Sequence, residues 1–134
     1  DGVPRDYEQA RTWWERAFAA GEPDAAYNLG ILYRRGLGVP PDAARCAEWW
    51  TRAAEAGSPL ARHALGNAYL HGSGVARDPV TAYAWLRLAA DAGVAAAEQN
   101  LTLLEQQLTP ELIAAGRDRA HAFANRHPAS TQTP

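Results

Sequence analysis

Residues 29–57, LGILYRRGLGVPPDAARCAEWWTRAAEAG, return thirty-six positions later as residues 65–93, LGNAYLHGSGVARDPVTAYAWLRLAADAG. The same shift extends in both directions without a gap. Gly2, Gly38 and Gly74 coincide, as do Val3, Val39 and Val75, and then Asp6, Asp42 and Asp78. Trp13, Trp49 and Trp85 follow, with Ala17, Ala53 and Ala89 and with Ala20, Ala56 and Ala92. Gly21, Gly57 and Gly93, then Ala25, Ala61 and Ala97, and Leu29, Leu65 and Leu101 complete the identities. A fixed period of this length marks an array of small units, each unable to bury its apolar face alone.

Each unit reads as two helices. A first or A helix is expected at about residues 23–35, 59–71 and 94–107. Its apolar stripe, Ala25, Leu29, Leu32 and Tyr33, has the i, i+4, i+7, i+8 spacing of one helix face, and Ala61, Leu65, Ala68 and Tyr69 repeat it. Pro23 and Pro59 sit where a first-turn proline is tolerated, Ser58 is placed to cap, and Gly36 and Gly72 stand where a left-handed residue ends a helix. A second or B helix is expected at about 7–20, 43–56 and 79–92, capped by Asp6, Asp42 and Asp78. The tryptophan column is expected in the core, with Trp50 partly exposed beside it. Cys46 falls in a column otherwise filled by alanine and is expected to be a buried, inert thiol.

The wider composition agrees with packed helices. The chain has 134 residues, enough for one core, with 47% hydrophobic and 21% charged residues. Alanine supplies about 30 of them, an excess that favours close-packed helices. All 13 basic residues are arginine, against 15 acidic ones, so the near-neutral chain carries no electrostatic footprint for nucleic acid. Without lysine there is no P-loop lysine, Schiff-base lysine or S-x-x-K pair. No apolar run approaches the length of a membrane span, so no membrane insertion is expected. Methionine is absent, which reads as a processed protein or a fragment of a longer one, and the compartment stays open.

The strings at 29–57 and 65–93 resemble Sel1-like repeats, units of about 36 residues related to tetratricopeptide repeats. The elements that carry the likeness are L-G-x-x-Y, G-x-G-V, the Asp, A-x-x-W and A-A-x-x-G, over about residues 2–107. The resemblance implies an all-α fold, an α/α superhelix of about three helix-turn-helix repeats. It divides residues 1–125 into a partial repeat at 2–21, repeats at about 22–57 and 58–93, and a last A helix at 94–107. That helix departs from the pattern: Thr102 replaces the glycine of Gly30 and Gly66, and Glu105 replaces the tyrosine. A capping helix at 109–125, opened by Thr109-Pro110, and a disordered tail at 126–134 are expected to end the chain. At the other end, Tyr7, Trp14 and Phe18 stand where later copies tend toward smaller residues. Two readings stand for them: cover for the end of the array, or a surface for self-association or a partner.

The resemblance further implies a non-enzymatic role in protein–protein interaction. Adaptor, regulatory and toxin-neutralising roles occur in the family, commonly in the bacterial envelope, signalling or secretion. By analogy with tetratricopeptide packing, the concave face of the first A helix offers Asp24, Tyr27, Ile31, Arg34 and Arg35. The second offers Leu60, His63, Asn67, Leu70 and His71. The third offers Ala96, Gln99, Leu103, Gln106 and Gln107. From these the expected partner-binding set is Tyr27, Ile31, Arg34, Arg35, His63, Asn67, Leu70, His71 and Gln99, facing an extended peptide, a helix or an acidic segment. No catalytic, metal or cofactor residues are expected: His63 and His71 lie roughly 12 Å apart along one helix, too far to share a metal. Two alternatives remain, a small hydrolase like the cysteine-rich members linked to β-lactamase activity, whose regular cysteine pairs this chain lacks, and a purely structural segment of a longer array.

Overall fold

The computed structural model describes residues 3–127. Among them are seven α-helices and no strand: α1 Val3–Ala19, α2 Pro23–Arg35, α3 Ala43–Glu55, α4 Pro59–His71, α5 Pro79–Asp91, α6 Ala95–Gln107 and α7 Pro110–Arg126. Their limits follow local chemistry. Proline opens α2, α4, α5 and α7, where its missing N–H would have no helical acceptor. The side chains of Asp42, Ser58, Asp78 and Thr109 accept from the backbone N–H three residues on, satisfying donors that the first turn leaves over. Gly36 and Gly72 follow α2 and α4 at φ 72°, a conformation that glycine adopts without strain.

Asp6 does not cap α1. The helix begins at Val3 and places Asp6 inside its first turn. In the later copies the backbone N–H groups of Asp42 and Asp78 donate to the carbonyls of Tyr33 and Tyr69 at 2.9 Å, which ties the two ends of the preceding loop together and fixes where the next helix starts. No carbonyl does this for Asp6 among the described residues. At the far end, α7 runs to Arg126, and His127 stacks on Phe123 with centroids 4.0 Å apart. Residues 128–134, most of the expected tail, lie outside the described residues.

Helices α2 and α3 form one hairpin and α4 and α5 the next, while α1 packs on α2, α3 on α4 and α5 on α6. Each of the first two A helices is therefore clasped between two B helices, the arrangement of a repeat solenoid. Leu29, Leu32, Leu65 and Leu86 are sealed in the interior, with Ala53, Ala61 and Ala89 allowing the backbones to approach.

The tryptophans reverse the expected order. Trp13 is 68% exposed, whereas Trp50 is 6% exposed, and Trp49 and Trp85 are half-buried at the edge of the core. The cause is the glycine of L-G-x-x-Y. A Cβ on Gly30 would lie 2.3 Å from Trp50 Cδ1, so the indole fills the space that a side chain would occupy. Gly66 does the same for Leu86, with 2.7 Å to Cγ. Successive helix residues turn by about 100°, so Trp50 enters this slot and Trp49 is carried to the rim. The rim tryptophans are covered by aromatic edges instead, Trp49 by Phe18 at 6.1 Å and Trp85 by Phe123 at 5.0 Å.

The departures in the third unit have a structural counterpart. Helix α7 packs on α5 rather than pairing with α6 as α3 pairs with α2. Exposed Thr102 therefore faces no partner residue of the kind that presses on Gly30 and Gly66. The glycine slot reappears on α7, where a Cβ on Gly116 would lie 2.6 Å from Cδ1 of buried Tyr83. Glu105, in the tyrosine column, accepts from the Tyr83 hydroxyl at 2.6 Å, and Arg117 donates to that hydroxyl at 3.3 Å.

Candidate functional site

A groove of about 550 Å³ lies across α2, α4 and α6 with α3 beneath it. It is lined by Tyr27, Arg34, Trp50, His63, Ala64, Asn67, Ala68, His71, Ser73 and Asn100. The helical period explains the gathering. Tyr27 and Arg34 are two turns apart on α2, and His63, Asn67 and His71 follow at four-residue intervals on α4, so each set keeps to one face. The small Ala64 and Ala68 keep the space between them open.

The aromatic part of the groove is fixed by a hydrogen bond. Trp50 Nε1–H donates to the Tyr27 carbonyl at 3.1 Å, and the two rings stack at 6.0 Å with 23° between their planes. The Arg34 guanidinium lies 6.0 Å from the indole centroid, within the range of a cation–π attraction.

The polar part is an amide–imidazole network joining α4 to α6. Asn100 Nδ2 donates to Asn67 Oδ1 at 2.9 Å, and the Nδ2 groups of both Asn67 and Asn100 approach His63 Nε2 at 3.3 Å. Two converging donors require Nε2 to be the unprotonated acceptor, so the ring proton is assigned to Nδ1. Burial pushes the His63 pKa down from its ordinary value, in the direction that favours the same neutral ring. His71 Nδ1 donates in turn to the Asn67 carbonyl at 3.0 Å. Asn67 is thus committed to its neighbours on both sides.

Five of the expected residues meet here: Tyr27, Arg34, His63, Asn67 and His71. The other four stand elsewhere. Ile31 packs half-buried against the core around Trp50, and Leu70 against the core around Tyr83. Arg35 and Gln99 are exposed outside the groove. One residue of helical rotation separates Arg34 from Arg35, His71 from Leu70 and Asn100 from Gln99. Trp50, Ser73 and Asn100 were missed by sequence reasoning. The signal for Asn100 was its column, Asn28, Ala64 and Asn100, which is polar at both ends and is not a repeat-defining position. Trp50 had a signal only in the glycine of the facing helix.

Three of the four large residues of α1 turn inward. Trp14 and Phe18 pack half-buried against the core around Trp50, and Tyr7 lies over Gly38 of the next loop. Trp13 alone among the large residues of α1 is strongly exposed. Cys46 is buried, and burial pushes its thiol pKa up to about 12. Among the described residues, no helix is long and apolar enough to cross a membrane.

Stacked helical hairpins with an open groove between successive A helices define a helical repeat scaffold. The Sel1 repeat family model matches residues 1–22, 23–58 and 59–94, and the chain belongs to that family. Among solved structures, c5321 from uropathogenic Escherichia coli, a protective antigen displaying an SLR fold, is similar with a TM-score of 0.81 and 28% identity. The match covers 96% of this chain and 30% of that one, so the chain spans less than a third of that protein's length. A Sel1 repeat protein from Oxalobacter formigenes is similar at 40% identity, with a TM-score of 0.65 over 68% of each chain. No curated protein matches the chain.

Proposed function

We propose that the protein is a non-enzymatic interaction module that holds a segment of a partner protein in the groove across α2, α4 and α6. The observation that carries this reading is the convergence of Tyr27, Arg34, His63, Asn67 and His71 with Trp50 and Asn100 around one open cleft. Apart from Trp50, which also fills the core, these lining residues are not part of the buried core and lie outside the nine columns repeated in all three copies, so the repeat pattern does not require them. An open cleft with aromatic, amide and cationic side chains suits an extended chain, whose backbone offers carbonyls and whose side chains offer apolar surface.

The test is to pan a phage-displayed random peptide library on the folded protein. Binding of the enriched pool is then compared on Ala64→Arg, which fills the groove, and on Trp13→Ala, which leaves it intact. Loss on the first variant with retention on the second supports the reading. Retention on Ala64→Arg refutes it. A second reading has its own observation, the 68% exposure of Trp13; loss on Trp13→Ala alone would move the working surface to α1.

A further inference from the structure

The groove is a surplus of donors with no carboxylate in its lining. Its one permanent charge is the Arg34 guanidinium, on a chain whose formal net charge is -2. Among the described residues Arg34 has no hydrogen-bond or ion-pair partner; its one polar contact is the Trp50 ring face. His63 Nδ1–H and the second Nδ2 hydrogen of Asn67 are also unspent once the network around His63 Nε2 is formed, and the Ser73 hydroxyl stands beside His71 at the same end as Arg34. The other arginines with polar work are engaged elsewhere: Arg62 donates to the Ala54 carbonyl, Arg77 to that of Leu70, and Arg87, Arg117 and Arg119 lie within 4 Å of Asp91, Glu105 and Asp78.

Resting on the groove reading above, we propose that the occupant is an acidic, extended peptide segment of a partner protein. One carboxylate meets Arg34 at the C-terminal end of α2, and a neighbouring apolar side chain lies along Tyr27. Charge complementarity selects this occupant. A guanidinium left without a carboxylate is matched by a ligand that brings one, in a two-pronged geometry that a lone carbonyl cannot copy. The backbone carbonyls on either side of that carboxylate are matched by the Asn67 and His63 donors. Attraction to the indole face biases Arg34 toward the groove before the ligand arrives, so less side-chain freedom is lost on binding. Arg35, one residue on and exposed outside the groove, shares the charge but not the position.

The experiment uses peptides selected on the wild-type protein, resynthesised with each Asp or Glu replaced by Asn or Gln. We expect acidic residues in excess at one position beside an apolar one. Neutralising that position should weaken binding on the order of tenfold at low salt, and less at moderate salt. In Arg34→Gln the acidic and neutral peptides should bind alike, whereas Arg35→Gln should keep the wild-type difference. Arg34→Lys, with charge but no fork, should keep part of it. Circular dichroism on each variant confirms that the helices persist. Groove-dependent peptides without an acidic excess, or a difference that survives Arg34→Gln, would overturn the acidic occupant and leave the groove reading standing. Peptides indifferent to Ala64→Arg would overturn the groove reading itself.

Discussion

Replacing Gly30 with alanine adds one methyl group and removes flexibility from a helix interior, a change that ordinarily stabilises by about 0.5–1 kcal/mol. Here the new Cβ would stand 2.3 Å from both Cδ1 and Nε1 of Trp50. Ordinary carbon contacts begin near 3.5 Å, so the indole must withdraw by about 1 Å or more. That movement weakens its 3.1 Å hydrogen bond to the Tyr27 carbonyl and its stacking on the Tyr27 ring. Overpacking costs about 1–3 kcal/mol and the strained hydrogen bond about 1 kcal/mol. Set against the gain in helix propensity, the net loss is about 1.5–3 kcal/mol. In a Trp50→Ala background, itself costing about 3–5 kcal/mol, the same substitution has nothing to strike and should stabilise. Urea unfolding of wild type, both single variants and the double variant, with slopes compared to confirm two-state behaviour, measures the coupling. The sign of the Gly30→Ala effect must change between the two backgrounds. An equal effect in both would refute the slot as the reason for this glycine.

Trp13→Ala should alter stability by no more than about 0.5 kcal/mol, because the side chain is 68% exposed; a loss comparable to Trp50→Ala in the same unfolding assay would show that α1 is covered in solution. Gly36→Ala should cost more than Gly72→Ala although both sit at φ 72°, since the new Cβ would meet Pro41 Cγ at 2.5 Å in the first case and Arg77 Cβ only at 3.5 Å in the second; thermal melts of the two variants decide the order. Cys46, with its thiol pKa pushed up to about 12, should resist an aromatic disulfide reagent at pH 8 in the native protein and react after denaturation; fast native labelling, followed by absorbance, would contradict its burial.

The helices were legible because their limits are set by single residues with local effects. Pro59, Ser58 and Gly72 each act within one turn, and the repeat supplied two further copies against which to read them. The packing of the tryptophans was not legible in the same way. Whether Trp49 or Trp50 enters the core depends on an absent side chain at Gly30, twenty residues away and on another helix. The groove fell between these cases. The face of α4 was readable from His63, Asn67 and His71, but neighbouring residues on a helix diverge by about 100°, and choosing Arg35, Leu70 or Gln99 over the residue beside it requires the true rotation of each helix. Thr102 was a legible departure whose meaning lay in the redirected path of α7.

That redirected path also governs how the array comes apart. A solenoid whose units touch only their neighbours opens from its ends, with exchange of amide hydrogens fastest in the terminal helix and slowing inward. Helix α7 steps over α6 to α5, and the Tyr83 hydroxyl is shared by Glu105 and Arg117 from the two later helices. Releasing α7 therefore unseats Tyr83 from beneath Gly116 and strips α6 of its ionic partner in one event. The last three helices should open as a single cooperative unit, leaving α6 protected to nearly the same degree as α5 although it carries few buried side chains of its own.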